Sequence, residues 1–298
     1  MAVFLKFFKR LTQATNRHSV MAPLAAAVLL LTPHVSQAQE ATRVLSLGGA
    51  VTEIIYALGE GDRVIGRDST SSFPPEVLDL PDVGYVRRLS PEGVLAMAPD
   101  VIIGTEGLGP PETMQVLQGA DIPLTLVPEG YDGAAISEKI RIVAEALGVP
   151  GKGAELSQQV SEALAKALSE RETDDTPRVM FILSMQGGRI MAAGSNTGAQ
   201  GIITLAGGVN ALEGFEGYKQ VTDEAILLAD PDVILMMDRS GDHAADDAEI
   251  LEHPVLGATK AAQSGAIVRQ PGLVLLGFGP RTPEAVRALN AAFAQVQS

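Results

Sequence analysis

The 298-residue sequence predicts an α/β protein of two Rossmann-like lobes joined by one long α-helix, with a ligand cleft between the lobes. Three observations predict it: strand-like runs that alternate with helical ones, one long amphipathic stretch near the middle, and an internal echo between the two halves. The expected divisions are a leader at 1–38, a first lobe at 39–149, a linking helix at 150–173 and a second lobe at 174–298.

The alternation is clearest in the first half. "RVLSL" (43–47), "RVIG" (63–66), "VIIG" (101–104) and "LTLV" (124–127) are short apolar runs with the character of buried strands. Helical stretches "AVTEIIYALG" (50–59), "PEGVLAMA" (91–98) and "AAISEKIRIVAEALG" (134–148) separate and follow them. This βαβ rhythm implies a small parallel sheet covered by helices. The stretch 154–172 differs, placing Leu156, Val160, Ala163, Leu164, Ala167 and Leu168 on one helical face. "TDDTP" (173–177) ends it. A second series follows, with strands at "RVMFILS" (178–184), "DVILMM" (232–237) and "GAIVRQ" (265–270), and a closing helix at 282–296.

The echo sets "LSPEGVLAMAPDVII" (89–103) against "VTDEAILLADPDVIL" (221–235). Each has a Ser or Thr N-cap, a glutamate two residues on, an apolar helix, then Pro-Asp and a strand. Any helix–Pro-Asp–strand unit would share that much. With a one-residue gap, however, "GYVRR" (84–88) also faces "GYKQ" (217–220). The lobes are therefore read as pseudo-twofold relatives whose corresponding loops face each other across the cleft.

The N-terminus reads as an export signal. Lys6, Lys9, Arg10 and Arg17 precede the apolar run "VMAPLAAAVLLL" (20–31), and small residues at Ser36 and Ala38 offer cleavage after Ala38. A membrane anchor is the alternative, but the run is short for a bilayer and no second one follows. With no cysteine after it, a periplasmic location is expected rather than a lipid tether, without membrane insertion after cleavage. Loss of 1–38 removes four basic residues and no acidic ones, taking the formal charge from −14 to −18. Such acidity argues against nucleic acid and anionic membranes as partners.

Enzyme signatures are missing from the sequence. There is no G-x-S-x-G elbow and no cysteine nucleophile, and "GVPGKGAE" (148–155) has Gly153 where a P-loop needs Ser or Thr. Beyond the leader only His243 and His253 remain, both in the second half, too few for a histidine-rich metal site. His253 is read as a helix-start or packing residue, and His243 as exposed on an acidic loop.

The tyrosine in "DVGYVRRLSPEG" (82–93) stands out in a chain with four tyrosines and no tryptophan. Arg87 lies two residues beyond Tyr85, and Arg88 follows. Phenol titrates at about pH 10, and nearby cations favour the phenolate, a hard anionic donor suited to ferric iron. A surface loop whose tyrosine packs flat while its arginines pair with acids fits the same residues.

Taken together, the chain resembles the periplasmic haem-binding proteins of bacterial haem ABC importers, a class in which one helix joins two lobes. The likeness covers the chain beyond the leader and rests on "RVLSLGGAVTEIIYALG" (43–59), "DVGYVRRLSPEGVLAMAPDVIIGTEGLGPP" (82–111), "AGSNTGAQGIITLAGGVNAL" (193–212) and "FEGYKQVTDEAILLADPDVIL" (215–235). The first motif type is shared with vitamin B12 and siderophore binders, whereas "VGYVRRLSPEGVLAMAPD" is more particular to haem binders.

The resemblance implies a non-enzymatic, monomeric shuttle that captures ferric haem b and hands it to an ABC permease dimer with its ATPase. It implies that Tyr85 ligates the iron, that Arg87 assists the phenolate or a propionate, and that Arg88 is a second candidate for that role. Glu92 and Glu224 match the glutamates by which such proteins dock on the permease; as first-turn residues they also suit the helix dipole. Tyr218 is expected at the cleft, against the porphyrin or as wall packing, and "GLVLLGFG" (272–279) against the porphyrin face. No histidine matches a second axial ligand; the chain offers Met185, Arg189 and Met191 nearby, so five-coordinate iron is expected. The long helix should act as a stiff spine. Rival readings are a ferric siderophore or corrinoid binder, a periplasmic haem-processing enzyme, and an acidic structural domain.

Overall fold

Strand alternation sets the core. In the computed structural model, which describes residues 42–171, 175–238 and 246–296, the first lobe runs β1 Val44–Leu47, α1 Gly49–Ala57, β2 Val64–Arg67, α2 Pro91–Ala96, β3 Val101–Thr105, α3 Pro111–Gly119, β4 Leu124–Val127 and α4 Gly133–Ala146. Its sheet has the order β2-β1-β3-β4, with every pair parallel. Helix α5, Pro150–Ser169, leads to the second lobe.

That lobe comprises β5 Arg178–Gln186, β6 Arg189–Ala193, α6 Gly198–Leu205, β7 Val209–Asn210, β8 Tyr218–Gln220, α7 Asp223–Ala229, β9 Val233–Asp238, α8 Asp247–Glu252, α9 Lys260–Gln263, β10 Ile267–Pro271, α10 Gly272–Leu276 and α11 Thr282–Val296. Its sheet runs β10-β9-β5-β6-β8, with β7 alongside β5. The β5-β9-β10 portion is parallel and repeats the β1-β3-β4 order of the first lobe. Where the first lobe has the parallel neighbour β2, the second has a β5–β6 hairpin turned by Gly187 and Gly188, with β8 antiparallel beside it.

Both sheets are covered on both faces, and period-2 alternation sends successive side chains to different cores. Val44, Val101 and Ile103 face the same cluster as Val179, Phe181, Val233 and Leu235. Their neighbours Leu45, Leu47 and Ile102 fill a core outside the first sheet, and Met180, Ile182, Ile234 and Met236 fill one outside the second. The central cluster passes through α5 by way of Val160, Leu164 and Ala167, so the two lobes share it.

Helix α5 starts at Pro150, four residues before the amphipathic pattern becomes visible, because proline is tolerated in a first helical turn. Gly153, in the segment that superficially resembles a P-loop, lies within this helix, where a side chain would collide with Ala144 of α4. Leu168, placed by periodicity on the buried face, is exposed. Asn290 of α11 donates to the Ala167 carbonyl at 2.9 Å, fastening the second lobe to the end of the spine. Among the described residues no helix is long and apolar enough to cross a membrane. The expected leader, 1–38, lies outside the described residues.

Candidate functional site

The floor of the cleft is the turn from β1 into α1. Gly48 has φ 122°, which favours glycine, and a Cβ on Gly49 would lie 2.8 Å from the Thr70 carbonyl oxygen. Fully buried Asp68 holds this turn. Its Oδ1 accepts from the Gly48 N–H and the Ser71 hydroxyl, both at 2.7 Å, and its Oδ2 from the Thr70 N–H at 2.8 Å. Ser71, Thr52 and Ser46 continue the chain of buried hydroxyls, so the polar groups beneath the floor are paired.

Tyr85 projects from a braced loop. Asp82 pairs with the Arg67 guanidinium at 3.0 Å, and the Gly84 carbonyl accepts from the Ser69 N–H at 3.0 Å. Beyond it Val86 and Leu89 are buried as anchors, whereas Tyr85 itself is 44% exposed. The Arg88 N–H closes a turn on the Tyr85 carbonyl at 2.7 Å. Arg87 reaches sideways: its Nη2 lies 3.0 Å from Glu129 Oε1, and Nη1 lies 3.4 Å from the Gly107 carbonyl.

The Tyr131 hydroxyl donates to Glu129 Oε2 at 2.6 Å, completing a Tyr131–Glu129–Arg87 chain. Burial, together with that carboxylate, pushes the Tyr131 phenol well above its ordinary range. The ring packs edge-on to Phe278 and beside Gly198 of α6, while the Tyr131 Cβ and carbonyl lie against Gly201, reaching across to the second lobe. Lys139 of α4 is 6% exposed and donates to the Gly130 carbonyl at 3.2 Å and to Gly277 of the opposite lobe at 3.4 Å. Burial pushes its ammonium down to about 8, against the pull of Glu129 and Asp132.

These groups border a cavity of about 650 Å³ between the lobes. Its other walls are Val51, Ile54, Leu183, Met237, Leu273 and Leu276, with Tyr218 and Asp238 as polar points. Tyr218 stands edge-on to Phe181, and its phenol is raised by burial against hydrogen bonds from the Ala199 backbone and the Thr197 side chain. Deeper in the interface Glu53, 4% exposed, receives the Arg281 guanidinium at 3.0 Å and its backbone N–H at 3.1 Å. Burial raises the Glu53 carboxyl in spite of Arg281.

Of the residues singled out by sequence, Tyr85, Arg87 and Tyr218 meet at the cavity, as do Gly272, Leu273, Leu276 and Gly277 of the 272–279 segment. Tyr85 sits on a loop and Tyr218 on a strand, although the glycines before them share a positive φ, 101° at Gly84 and 75° at Gly217. Arg88 is exposed and outside the lining. Met185 is buried in the outer core of the second lobe, and neither it, Arg189 nor Met191 borders the cavity. His253 follows the last residue of α8, and its Nδ1 accepts from the Val255 and Leu256 N–H groups at 3.3 Å, so it caps the start of the 3-10 turn Leu256–Ala258, in keeping with a helix-start role. His243 lies outside the described residues. Among the described residues no cluster of three His, Asp or Glu side chains is arranged to hold a metal ion.

Glu92 and Glu224 occupy the same position on matching helices. Both are exposed in the first turn, after N-caps Ser90 and Thr222. The Ser90 hydroxyl, then its own N–H, lowers the Glu92 carboxyl; for Glu224 its own N–H leads and Thr222 follows. Sequence reasoning missed Glu129, Tyr131 and Lys139. Tyr131 was open to notice as one of four tyrosines, four residues past the end of β4; Lys139 was hidden by the pattern of an exposed helix face.

Comparison with known proteins places the chain in a family. Residues 44–272 match the periplasmic binding protein family, and the chain belongs to it. Among solved structures it is similar to the periplasmic haem-binding protein RhuT of Roseiflexus sp. RS-1 in apo form, at 38% identity and a TM-score of 0.83, covering 87% of this chain and 100% of that one. It is also similar to the periplasmic haem-binding protein BhuT in complex with two haems, at 36% identity and a TM-score of 0.81, covering 86% and 99%. A vitamin B12-binding protein of Yersinia pestis is 27% identical over 72% of this chain and 76% of its own. An uncharacterised ABC transporter substrate-binding lipoprotein of Bacillus subtilis, YvrC, is 27% identical over 67% of this chain; the match spans 65% of that relative's length.

Proposed function

We propose that this protein captures ferric haem in the periplasm, after export by its N-terminal leader, and delivers it as a monomer to an ABC permease dimer with its ATPase. The observation that carries the reading is Tyr85, a 44% exposed phenol held by a braced loop on the wall of an inter-lobe cavity of about 650 Å³. Cavities of this size suit a large small-molecule ligand, and the aliphatic walls supply the apolar surface a porphyrin needs. The Tyr85 oxygen is the hard anionic donor for iron, and tyrosinate is an established type of axial haem ligand. Arg87, which borders the same cavity, is assigned to the phenolate or a propionate. Glu92 and Glu224, exposed in equivalent first turns, serve as the carboxylates that meet the permease. The similarity to RhuT and BhuT supports haem as the cargo.

The test is a ferric haem titration of the leaderless protein and its Tyr85→Phe variant, followed by absorption. A saturable high-spin complex with a phenolate charge-transfer band is expected. Loss of the band and affinity weakened about tenfold or more, some 1.4 kcal/mol, should follow in Y85F. The similarity to a vitamin B12-binding protein favours a second reading, a corrinoid cargo. In that case cobalamin binds tightly and Y85F binds it as well as the parent does.

A further inference from the structure

We infer that Glu129 competes with a carboxylate of the ligand for Arg87, and that this competition sets how strongly the cleft separates carboxylate-bearing from neutral ligands. The inference rests on the porphyrin reading above and names a residue that governs specificity within it. Arg87 and Glu129 both border the cavity, paired at 3.0 Å with side chains 53% and 35% exposed, so a ligand can reach the pair. The second contact of Arg87, to the Gly107 carbonyl at 3.4 Å, is long. A guanidinium has five N–H donors in a fork matched to a carboxylate, and Glu129 takes that seat with one oxygen.

Exchange need not leave Glu129 stranded. Its other oxygen keeps the Tyr131 hydroxyl at 2.6 Å, and the Lys139 ammonium already feels its charge. A carboxylate stripped of every partner at a half-buried site would resist the trade; one that keeps a hydrogen bond and a nearby cation does not. Glu129 is thus a positioning residue acting through Arg87. The simpler alternative is that the pair only staples the Tyr85 loop to the segment after β4.

Two porphyrins separate these readings: ferric protoporphyrin IX and its dimethyl ester, titrated into the parent, Glu129→Gln, Arg87→Gln and the double variant. Glutamine keeps an acceptor for Tyr131 and removes the charge that occupies Arg87. Partly exposed ion pairs are weak, so E129Q should bind the diacid roughly two- to fivefold tighter and the diester unchanged. The gain should vanish in the R87Q background. An equal change for both porphyrins, no change, or weaker diacid binding overturns the inference. Should E129Q fail to fold, R87Q alone decides: the diacid-to-diester affinity ratio must fall toward one, and an unchanged ratio overturns it. If neither porphyrin saturates the parent protein, the porphyrin reading itself has failed, which is seen before any variant is compared.

Discussion

Replacing Lys139 with methionine should stabilise the fold at neutral pH and lose that advantage as the solution becomes alkaline. The ammonium is 6% exposed and its pKa falls from 10.5 to about 8. A depressed basic group binds fewer protons folded than unfolded between those values. Its contribution to stability is therefore complete above the unfolded pKa and is lost as pH falls toward and through about 8. A shift of that size corresponds to about 3 kcal/mol of unfavourable charge burial at pH 7, falling to about 1 kcal/mol at pH 10. Methionine fills similar volume without charge but gives up the bonds to Gly130 and Gly277 at 3.2 and 3.4 Å, a loss of roughly 1–2 kcal/mol together. K139M should then be about 1–2 kcal/mol more stable at pH 7, and the gap should close or reverse by pH 10. Denaturant unfolding of parent and variant at pH 7, 8, 9 and 10 reads this directly, since other titrating groups cancel in the difference. A stability difference that does not vary with pH would refute the account of Lys139 as a charged, desolvated lysine.

Arg281→Met should destabilise by about 2–4 kcal/mol at pH 7, because it strips the partner from a nearly buried carboxylate. Glu53 already has a raised folded pKa, so its contribution is complete below the ordinary carboxylate value and is lost as pH rises through the folded one. R281M raises that pKa further, and its deficit should shrink between pH 7 and pH 5; a deficit constant across that range counts against the mechanism. The double variant Glu92→Lys and Glu224→Lys should bind haem as the parent does and fail in haem uptake by cells carrying the matching permease. Normal uptake would remove both residues from the docking role.

What the sequence disclosed followed from periodicity. Strands β1, β3, β5 and β9 are buried on both faces, so their apolar runs are continuous and stand out from the polar turns around them. Helix α11 was legible to its ends, Thr282–Val296, because a full turn of apolar spacing repeats along it. The three-residue β8 and the two-residue β7 carry no such signal; their places come from pairing with β6 and β5. The same division holds at the cleft. Tyr85 and Arg87 are neighbours in the chain and were visible as a pair. Glu129 meets Arg87 from 42 residues away, and Glu53 meets Arg281 from 228 residues away. No local pattern encodes those encounters.

Those distant encounters also bear on how far the lobes can part. A single helix between two domains would by itself allow a wide swing. Here the buried face of α5, with Val160, Leu164 and Ala167, packs into a core that both lobes share, against α4 of the first lobe and α11 of the second. Separating the lobes would expose that surface at about 25 cal/mol for every Å² uncovered. It would also pull Tyr131 from Gly201 and Lys139 from Gly277, and break the Glu53–Arg281 pair. Against these costs, rearranging half-exposed wall residues such as Tyr85 and Arg87 is cheap. Ligand entry is therefore expected to move exposed wall side chains more than it moves one lobe against the other, which places selectivity in the wall rather than in the hinge.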